Sequence, residues 1–381
     1  MAVEALIGAE IFDGNHLRSQ AALLLRDDHV LGIVDRAFIP SDARIEELGG
    51  GILAPGFIDA QVNGGGGVML NDDRSPDGMT AIAEAHRRFG TTGLLPTLIT
   101  DTAAITAEAV VAAIEAVKTR PGILGLHLEG PHLAPARHGV HLPELMRPLT
   151  DIDAENLIAA KDVIGTLLVT VAVEQAPPAQ IRKLSDAGIV VSLGHTDADY
   201  DSTMAAIDAG ASGITHLFNA MSPLGSRKPG VVGAALHAGS VWCGIIADGE
   251  HVHPASLTAA IRAKQHPGRL FLVTDAMSTV GADGDTFQIN GRPAYRRNGR
   301  LELPDGTIAG SDVDMMSCVR FTHQHLDLPV EEALRMASLY PARFLRLDRQ
   351  RGHLGEGAIA DLVHLDERLQ VKQVWVAGRT G

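Results

Sequence analysis

Between residue 53 and about residue 350, apolar runs of strand length alternate with Ala-rich stretches of helical length, which constrains the fold more than any other feature. Such runs, ending in Gly or polar residues, are typical of buried parallel strands. The predicted strands are Gly56–Val62, Gly93–Leu98, Gly122–Leu128, Thr166–Val173, Ile189–Leu193, Gly213–Leu217, Val241–Ala247 and Leu270–Thr274. The predicted helices are Met79–Phe89, Ala103–Lys118, Pro178–Ala187, Tyr200–Ala209, Pro254–Lys264 and Val330–Ser338.

Eight strands with helices between them predict an α/β fold of the (β/α)8 TIM-like barrel type. A doubly wound open sheet is the alternative, although it would normally have fewer units and a nucleotide-type Gly loop. Short β-type runs occupy both chain ends, which predicts one small β domain built from residues 1–52 and 355–381. The barrel would then comprise residues 53–354.

Charge and cysteine content narrow the possible partners and the compartment. The formal net charge of −14, without a Lys/Arg cluster, argues against nucleic acid or an anionic membrane surface as a partner. The cysteines, Cys243 and Cys318, are too few for a disulfide framework, so we expect a cytoplasmic protein. The N-terminal residues do not resemble a signal peptide, and no apolar run approaches the ~20 residues of a membrane-spanning helix.

The tetraglycine Gly64–Gly67 follows the first predicted strand. Its spacing fits neither phosphate-binding glycine motif, and no Lys follows it, which argues against a nucleotide site. We expect these glycines to provide backbone freedom where the strand leaves the barrel.

Four predicted strands end in residues that could perform chemistry: Glu129 on the third strand, His195 on the fifth, His216 on the sixth and Asp275 on the eighth. In a barrel of this type, such residues meet at the carboxyl ends of the strands. One Glu and two His form a catalytic zinc set that leaves a position for water. An Asp beside that water could serve as general base and acid. Singly, a Glu at a strand end is more often a surface or structural carboxylate, and a His there is more often a hydrogen-bonded packing residue; the coincidence of four such residues favours a site.

Several ordered stretches carry a family resemblance that extends over nearly the whole chain. They are Ala54–Asp59 with Asn63-Gly64, His127–Pro131, Gly194–Thr196, Thr215–Met221, Asp248–Val252, Leu272–Ala276 and Leu303–Ser311. Through these stretches the chain resembles the N-acetylglucosamine-6-phosphate deacetylase family of the amidohydrolase superfamily. The resemblance implies a (β/α)8 barrel with a small β-sandwich formed from both termini.

The resemblance also implies roles for the strand-end residues. Glu129, His195 and His216 match metal ligands, and Asp275 matches the catalytic acid and base. His141 matches a histidine that contacts the substrate carbonyl.

A second group of residues matches positions that hold a sugar phosphate: Asn219, the backbone of Ala220, Arg227 and His251. In relatives Arg227 crosses a dimer interface, so the resemblance implies a homodimer whose active site depends on assembly.

One departure from the superfamily pattern concerns the number of metals. Many amidohydrolases carry His-x-His at the end of the first strand, whereas this chain has Gln61-Val62-Asn63. Amide side chains are poor zinc ligands, so we expect one divalent metal, Zn²⁺ in the first place and Fe²⁺ or another divalent ion as an alternative. We expect Gln61 and Asn63 to hydrogen-bond within the barrel mouth.

The expected activity is hydrolysis of the acetamide of N-acetylglucosamine 6-phosphate. The same chemistry on N-acetylgalactosamine 6-phosphate or another N-acyl substrate remains open, because the metal site cannot distinguish sugar epimers. A non-catalytic binding protein with the same scaffold is a further alternative, but the presence of Glu129, His195, His216 and Asp275 argues against it.

Overall fold

The computed structural model describes residues 3–289, 291–297 and 300–380. Its centre is a barrel of parallel strands, each paired with the next along the chain. The barrel strands are Phe57–Val62, Thr91–Ile99, Leu126–Glu129, Leu167–Val171, Val190–Leu193, Gly213–Ile214, Trp242–Ile245 and Leu270–Leu272. All eight predicted strands are therefore present.

Contacts between the first strand and the segment after the eighth close the barrel. The Asp275 amide donates to Gln61 O at 3.0 Å, and the Asn63 amide donates to Ala276 O at 2.9 Å. The Thr274 hydroxyl also donates to the buried Asp59 carboxylate at 2.6 Å. Closure confirms the predicted barrel, and the open-sheet alternative is wrong.

Helices surround the barrel: Pro76–Arg87, Ala103–Thr119, Asp151–Ile164, Pro178–Asp186, Tyr200–Asp208, Gly230–His237, Pro254–Ala263, Met315–His325, Val330–Ala337 and Leu339–Phe344. Short 3₁₀ turns occur at Arg36–Phe38, Pro135–Arg137 and Pro143–Leu145. The six predicted helices are all present. Helix Ala103–Thr119 begins where the Thr102 hydroxyl accepts from the Ile105 amide, and it buries Ala109, Ala113 and Ala116. None of the helices within the described ranges is long and apolar enough to cross a membrane.

The chain ends form two further sheets. A four-stranded sheet has the order His29–Asp35, Ala21–Arg26, Glu4–Ile7, Arg44–Glu47. A six-stranded sheet has the order Arg379–Thr380, Val371–Val376, Leu362–Leu365, Ile52–Pro55, Glu10–Phe12, Leu17–Arg18. Leu6 and Leu23 from the first sheet share one buried cluster with Leu53, Leu362 and Trp375 from the second. The predicted β-sandwich from both termini is therefore confirmed.

A small sheet that the sequence interpretation missed follows the eighth barrel strand. Its strands are Thr286–Ile289, Arg292–Arg297 and Arg300–Glu302. Ile289 and Leu301 pack with Val140 and Met277 in a separate apolar cluster. The Arg292 guanidinium also donates a hydrogen bond to Val140 O. This hydrogen bond and the apolar cluster hold the small sheet beside the barrel mouth.

The tetraglycine lies in the same region and pairs, as strand Gly64–Gly65, with Val68–Met69. Gly66 and Gly67 have φ angles of +61° and +88°, which favour glycine. A Cβ on Gly64 would lie 2.4 Å from Val68 O, so this glycine allows a close approach instead. Backbone freedom is thus the role of Gly66 and Gly67, whereas Gly64 is needed for close packing.

Candidate active site

A cavity of about 410 Å³ opens at the carboxyl ends of the barrel strands. Its lining contains most of the residues singled out in the sequence: Glu129, His141, His195, His216, Asn219, Ala220, His251 and Asp275. The barrel brings these residues together although they come from separate strands and loops. Arg227 does not line this cavity, and its side chain is exposed.

Glu129, His195 and His216 place three potential metal-binding atoms close together. Nε2 of each histidine lies 3.2 Å from Glu129 Oε1, and the two Nε2 atoms are 3.0 Å apart. Ligand atoms ~2.0–2.1 Å from a tetrahedral zinc ion would be separated by about 3.3 Å. The spacing of these atoms therefore fits one small divalent metal.

The hydrogen bonding of His195 also fits a metal ligand. Its Nδ1 lies 2.8 Å from Arg137 O, and a carbonyl oxygen can only accept. The hydrogen of the neutral ring therefore lies on Nδ1, and the Nε2 lone pair faces Glu129. A backbone carbonyl fixes the tautomer of many metal-binding histidines in this way.

Strand-end residues in the site adopt left-handed backbone conformations. The φ angles are +47° at His195, +30° at His216 and +53° at Asp275. Such angles cost free energy for residues other than glycine, and they persist only where the surrounding structure enforces them. Their coincidence at three strand ends indicates a functional constraint on side-chain direction.

The pKa values of the two carboxyl groups of the site, Glu129 and Asp275, are shifted in opposite directions. Burial would raise the pKa of Glu129, but the neighbouring His195 and His216 outweigh burial and hold the pKa well below its usual range. The pKa of Asp275 is raised by burial and by the Glu129 charge. Two neighbouring carboxyls with pKa values shifted in opposite directions suit a ligand and a proton carrier.

Gln61 and Asn63 hydrogen-bond to the carboxylates within the barrel mouth, as expected. The Gln61 amide nitrogen lies 3.1 Å from both Glu129 oxygens and 3.1 Å from Asp275 Oδ1. The Asn63 amide nitrogen donates to Asp275 Oδ1 at 2.7 Å. These N–H groups lie where the superfamily pattern would place two further histidines.

His141 belongs to the same cluster, and its ligand atom lies within 4.8 Å of those of Glu129 and His195. The Thr100 amide donates to His141 Nδ1 at 3.2 Å, so Nδ1 accepts and Nε2 carries the hydrogen of a neutral ring. Burial and the neighbouring His195 hold the pKa of His141 well below its usual range, which keeps the ring neutral. The ring therefore offers a hydrogen-bond donor at Nε2 rather than a lone pair.

The cavity lining also contains Asn219, Ala220 and His251, which follow the sixth and seventh barrel strands. Asn219 Nδ2 donates to His216 O at 3.2 Å, and Ala220 has a φ angle of +49°. His251 Nδ1 lies 2.6 Å from Asp248 Oδ2, whereas His251 Nε2 has no partner in the part of the chain that the structure describes. The ring is thus held from one side only.

The sequence interpretation missed the residues that orient these histidines. Thr100 fixes the His141 tautomer, and Asp248 holds the His251 ring. Asp248 lies in the same short segment as His251, so its spacing of three residues was an available signal. Thr100 is 41 residues from His141, and nothing local links the two.

The fold and the site together define a class of protein. The sequence matches the Amidohydrolase family over residues 52–381, and the chain therefore belongs to this family. It is 42% identical to the N-acetylgalactosamine-6-phosphate deacetylase of Shewanella sp., over 97% of this chain and 94% of that protein. It is 35% identical to the N-acetylglucosamine-6-phosphate deacetylase of Haemophilus influenzae, over 98% of each.

A solved structure supports the same relationship. The crystal structure of N-acetylglucosamine-6-phosphate deacetylase from Pasteurella multocida matches with a TM-score of 0.95 and 35% identity. The match covers 100% of this chain and 99% of that one. The resemblance inferred from the sequence motifs is confirmed.

Proposed function

We propose that the protein hydrolyses the acetamide of N-acetylglucosamine 6-phosphate to glucosamine 6-phosphate and acetate. The observation that carries this proposal is the joint placement of Glu129, His195 and His216 with Asp275 in one cavity. The spacing of the first three suits a metal, and Asp275 shares the Gln61 amide with Glu129. The deacetylase relatives supply the substrate class.

Glu129, His195 and His216 would hold one divalent metal, which we propose to be Zn²⁺. Imidazole and carboxylate ligands also accept Fe²⁺ and other divalent ions, so metal analysis must decide the identity. A divalent ion here supplies Lewis acidity that lowers the pKa of water from ~15.7 toward ~7, which makes hydroxide available at neutral pH.

Asp275 would move the proton during the reaction. Its carboxylate accepts a proton as water attacks the carbonyl carbon, and then returns this proton to the departing nitrogen. Without that return an amine anion would have to leave. Burial and the Glu129 charge raise the pKa of Asp275, so this carboxylate is a stronger base for the first half of the transfer than an exposed aspartate would be.

His141 would stabilise the carbonyl oxygen as negative charge develops on it. The Nε2–H group suits this role, because a donor in a buried site strengthens its hydrogen bond as the acceptor becomes charged. The same tautomer argues against His141 as a metal ligand, since a ligand needs a lone pair at that atom.

Asn219, the backbone of Ala220 and His251 would bind the phosphate. Arg227 would complete this phosphate site from a second copy of the chain in a homodimer. In support, Arg227 lies in an exposed segment, residues 223–228, and does not line the cavity of its own chain. Phosphate binding far from the scissile bond would serve to position the acetamide.

N-acetylgalactosamine 6-phosphate is a second candidate substrate, because the Shewanella relative that bears this name is 42% identical to the chain. The two sugars differ only in the direction of one hydroxyl group. Neither the metal ligands nor Asp275 distinguishes them.

Acetate release from both sugar phosphates and from free N-acetylglucosamine, combined with metal analysis, tests the proposal. We expect one metal per chain and release from N-acetylglucosamine 6-phosphate at the highest kcat/KM. A higher kcat/KM on the galactosamine compound would reassign the substrate. Absence of release from every N-acetyl sugar phosphate would overturn the proposal.

A further inference from the structure

A layer of buried polar side chains lies inside the barrel, one level below the strand ends that carry the metal-site residues. It consists of Thr97, His127, Thr170, Ser192 and Thr215, which are at most 5% exposed and come from the second to the sixth strand positions. Branched apolar side chains normally fill this level of a barrel. We call these five residues the hydroxyl layer.

Hydrogen bonds connect the hydroxyl layer into one chain across five strands. Thr215 Oγ1 lies 2.7 Å from Ser192 Oγ and 2.7 Å from Thr170 Oγ1. Thr170 Oγ1 lies 2.8 Å from His127 Nε2, and His127 Nδ1 lies 3.2 Å from Thr97 Oγ1. The layer thus ties together strands that the backbone ladder links only in neighbouring pairs.

The direction of these hydrogen bonds follows from their ends. Ser192 Oγ has no other acceptor within the described residues, whereas Thr97 Oγ1 can donate to Leu95 O at 3.1 Å. Every hydroxyl hydrogen therefore has an acceptor only if Ser192 is the first donor of the series of hydrogen bonds and Leu95 O is its last acceptor. In this direction Thr170 donates to His127 Nε2, and the His127 hydrogen lies on Nδ1.

The layer is adjacent in sequence to all three proposed metal ligands. Thr215 immediately precedes His216, His127 is two residues before Glu129, and Ser192 is three residues before His195. Thr170 lies on the fourth strand, which carries none of these ligands, and it joins Thr215 to His127. It is the one member whose hydroxyl connects the strand of His216 to the strand of Glu129.

We propose that Thr170 is a positioning residue for the metal site and that the hydroxyl layer sets the separation of Glu129, His195 and His216. The proposal rests on the metal site of the proposed function. Removing the Thr170 hydroxyl leaves the Thr215 hydroxyl without its acceptor and His127 Nε2 without its donor. The sixth and third strand ends are then free to shift, so the ligand atoms lose their spacing. Loss of a group that hydrogen-bonds directly to a metal ligand typically lowers metal affinity by about 10–100-fold, and Thr170, which acts through Thr215 and His127, should lie at the lower end of this range.

The test measures zinc affinity of the full-length chain by competition with a chromophoric chelator. For Thr170→Val, which keeps the side-chain shape, we expect about tenfold weaker zinc binding. Thr170→Ser restores the hydroxyl and is expected to bind zinc like the wild type. The matched control is Thr322→Val, because Thr322 is fully buried and its hydroxyl has no partner in the described chain.

Thermal unfolding of each variant, with and without zinc, separates positioning from general stability. Positioning predicts a smaller zinc-induced rise in Tm for Thr170→Val, since this rise depends on affinity. Wild-type zinc affinity in Thr170→Val, with both Tm values lowered equally, would overturn the proposal. If Thr170→Val does not fold, Thr215→Val decides in its place, because it removes the hydrogen bond between Thr215 and Thr170. Weaker zinc binding in this variant supports the proposal, and unchanged binding overturns it.

The wild-type protein distinguishes this inference from the proposed function. A wild type that binds no divalent metal would overturn both. A wild type that binds one metal, beside a Thr170→Val variant of equal affinity, would overturn the positioning role alone.

Discussion

The barrel mouth has two halves that contact the same Glu129 carboxylate with opposite chemistry. In the imidazole half, His195 and His216 present ring Nε2 atoms 3.2 Å from Glu129 Oε1. In the amide half, Gln61 places an N–H donor group 3.1 Å from both Glu129 oxygens, and Asn63 donates to Asp275. A lone pair can bind a metal, whereas an amide N–H cannot.

This difference would allow the proposed site to work with one cation. Where many amidohydrolases carry two more histidines, the amide half supplies hydrogen bonds that compensate the carboxylate charge directly. Both of its contacts with the Asp275 carboxylate are on Oδ1. The amide half therefore fixes the direction of Asp275 and would leave metal binding to the imidazole half.

The largest expected effect comes from removing the carboxylate that both halves share. Glu129→Ala should fold, lose the metal and lose at least about 10⁴-fold in kcat, as when an essential catalytic group is removed. Metal analysis, circular dichroism and acetate release measure the three outcomes. The control is Glu84→Ala, since Glu84 is an exposed partner of Arg87 on the outer surface. Stoichiometric metal in Glu129→Ala would show that the imidazole half binds it without this ligand.

Asp275→Asn separates proton transfer from metal binding. The replacement can still accept from Asn63 through its carbonyl oxygen, so its direction should be retained. It cannot take up a proton, and kcat should fall by about 10³-fold, within the range for general acid–base catalysis. Metal content and KM should stay near wild-type values. Near wild-type turnover would remove Asp275 from the mechanism and leave the amide half without a catalytic purpose.

The barrel and the meeting of Glu129, His195 and His216 at its mouth were predictable because their signals are local. The strand before Glu129 is an apolar run, and the barrel rule then places its end beside the ends that carry His195 and His216. Helix Asp151–Ile164 was missed although Thr150 and Asp153 form a capping box at its start. The missed sheet near residue 290 also had a signal, since Asn-Gly pairs at 290–291 and 298–299 are typical of hairpins.

The contacts that distinguish the two halves were not predictable, because they join distant residues. Gln61 meets Asp275 across 214 positions, and Thr100 meets His141 across 41. A histidine in the sequence carries no indication of its tautomer, which depends on such contacts. Which side chains offer N–H donors to the site and which offer lone pairs is therefore decided only when the barrel folds.

Arg227→Ala is a change outside both halves and should leave them intact. We expect about a 10–100-fold loss of kcat/KM on N-acetylglucosamine 6-phosphate, the range for hydrogen bonds to a charged group. Metal content and turnover of free N-acetylglucosamine should change little. Lys228→Ala is the control, because it removes the neighbouring exposed cation. Equal losses on both sugars would contradict a phosphate role and would point to an effect on the mouth itself.

Replacing both amide side chains by imidazoles is expected to change activity least. It is also the most direct test of the difference between the two halves. In the double variant Gln61→His, Asn63→His, lone pairs replace the N–H groups beside Glu129 and Asp275. Two imidazoles with these carboxylates form a second ligand set, so metal content should rise from one to about two per chain. Activity should fall only about tenfold, because the first ligands remain while Asp275 loses its donors and gains a cation nearby. Gln61→Leu, Asn63→Leu controls for loss of the donors and should keep one metal. A double histidine variant that still binds one metal would show that the surrounding backbone, rather than the amide side chains, limits the site to a single ion.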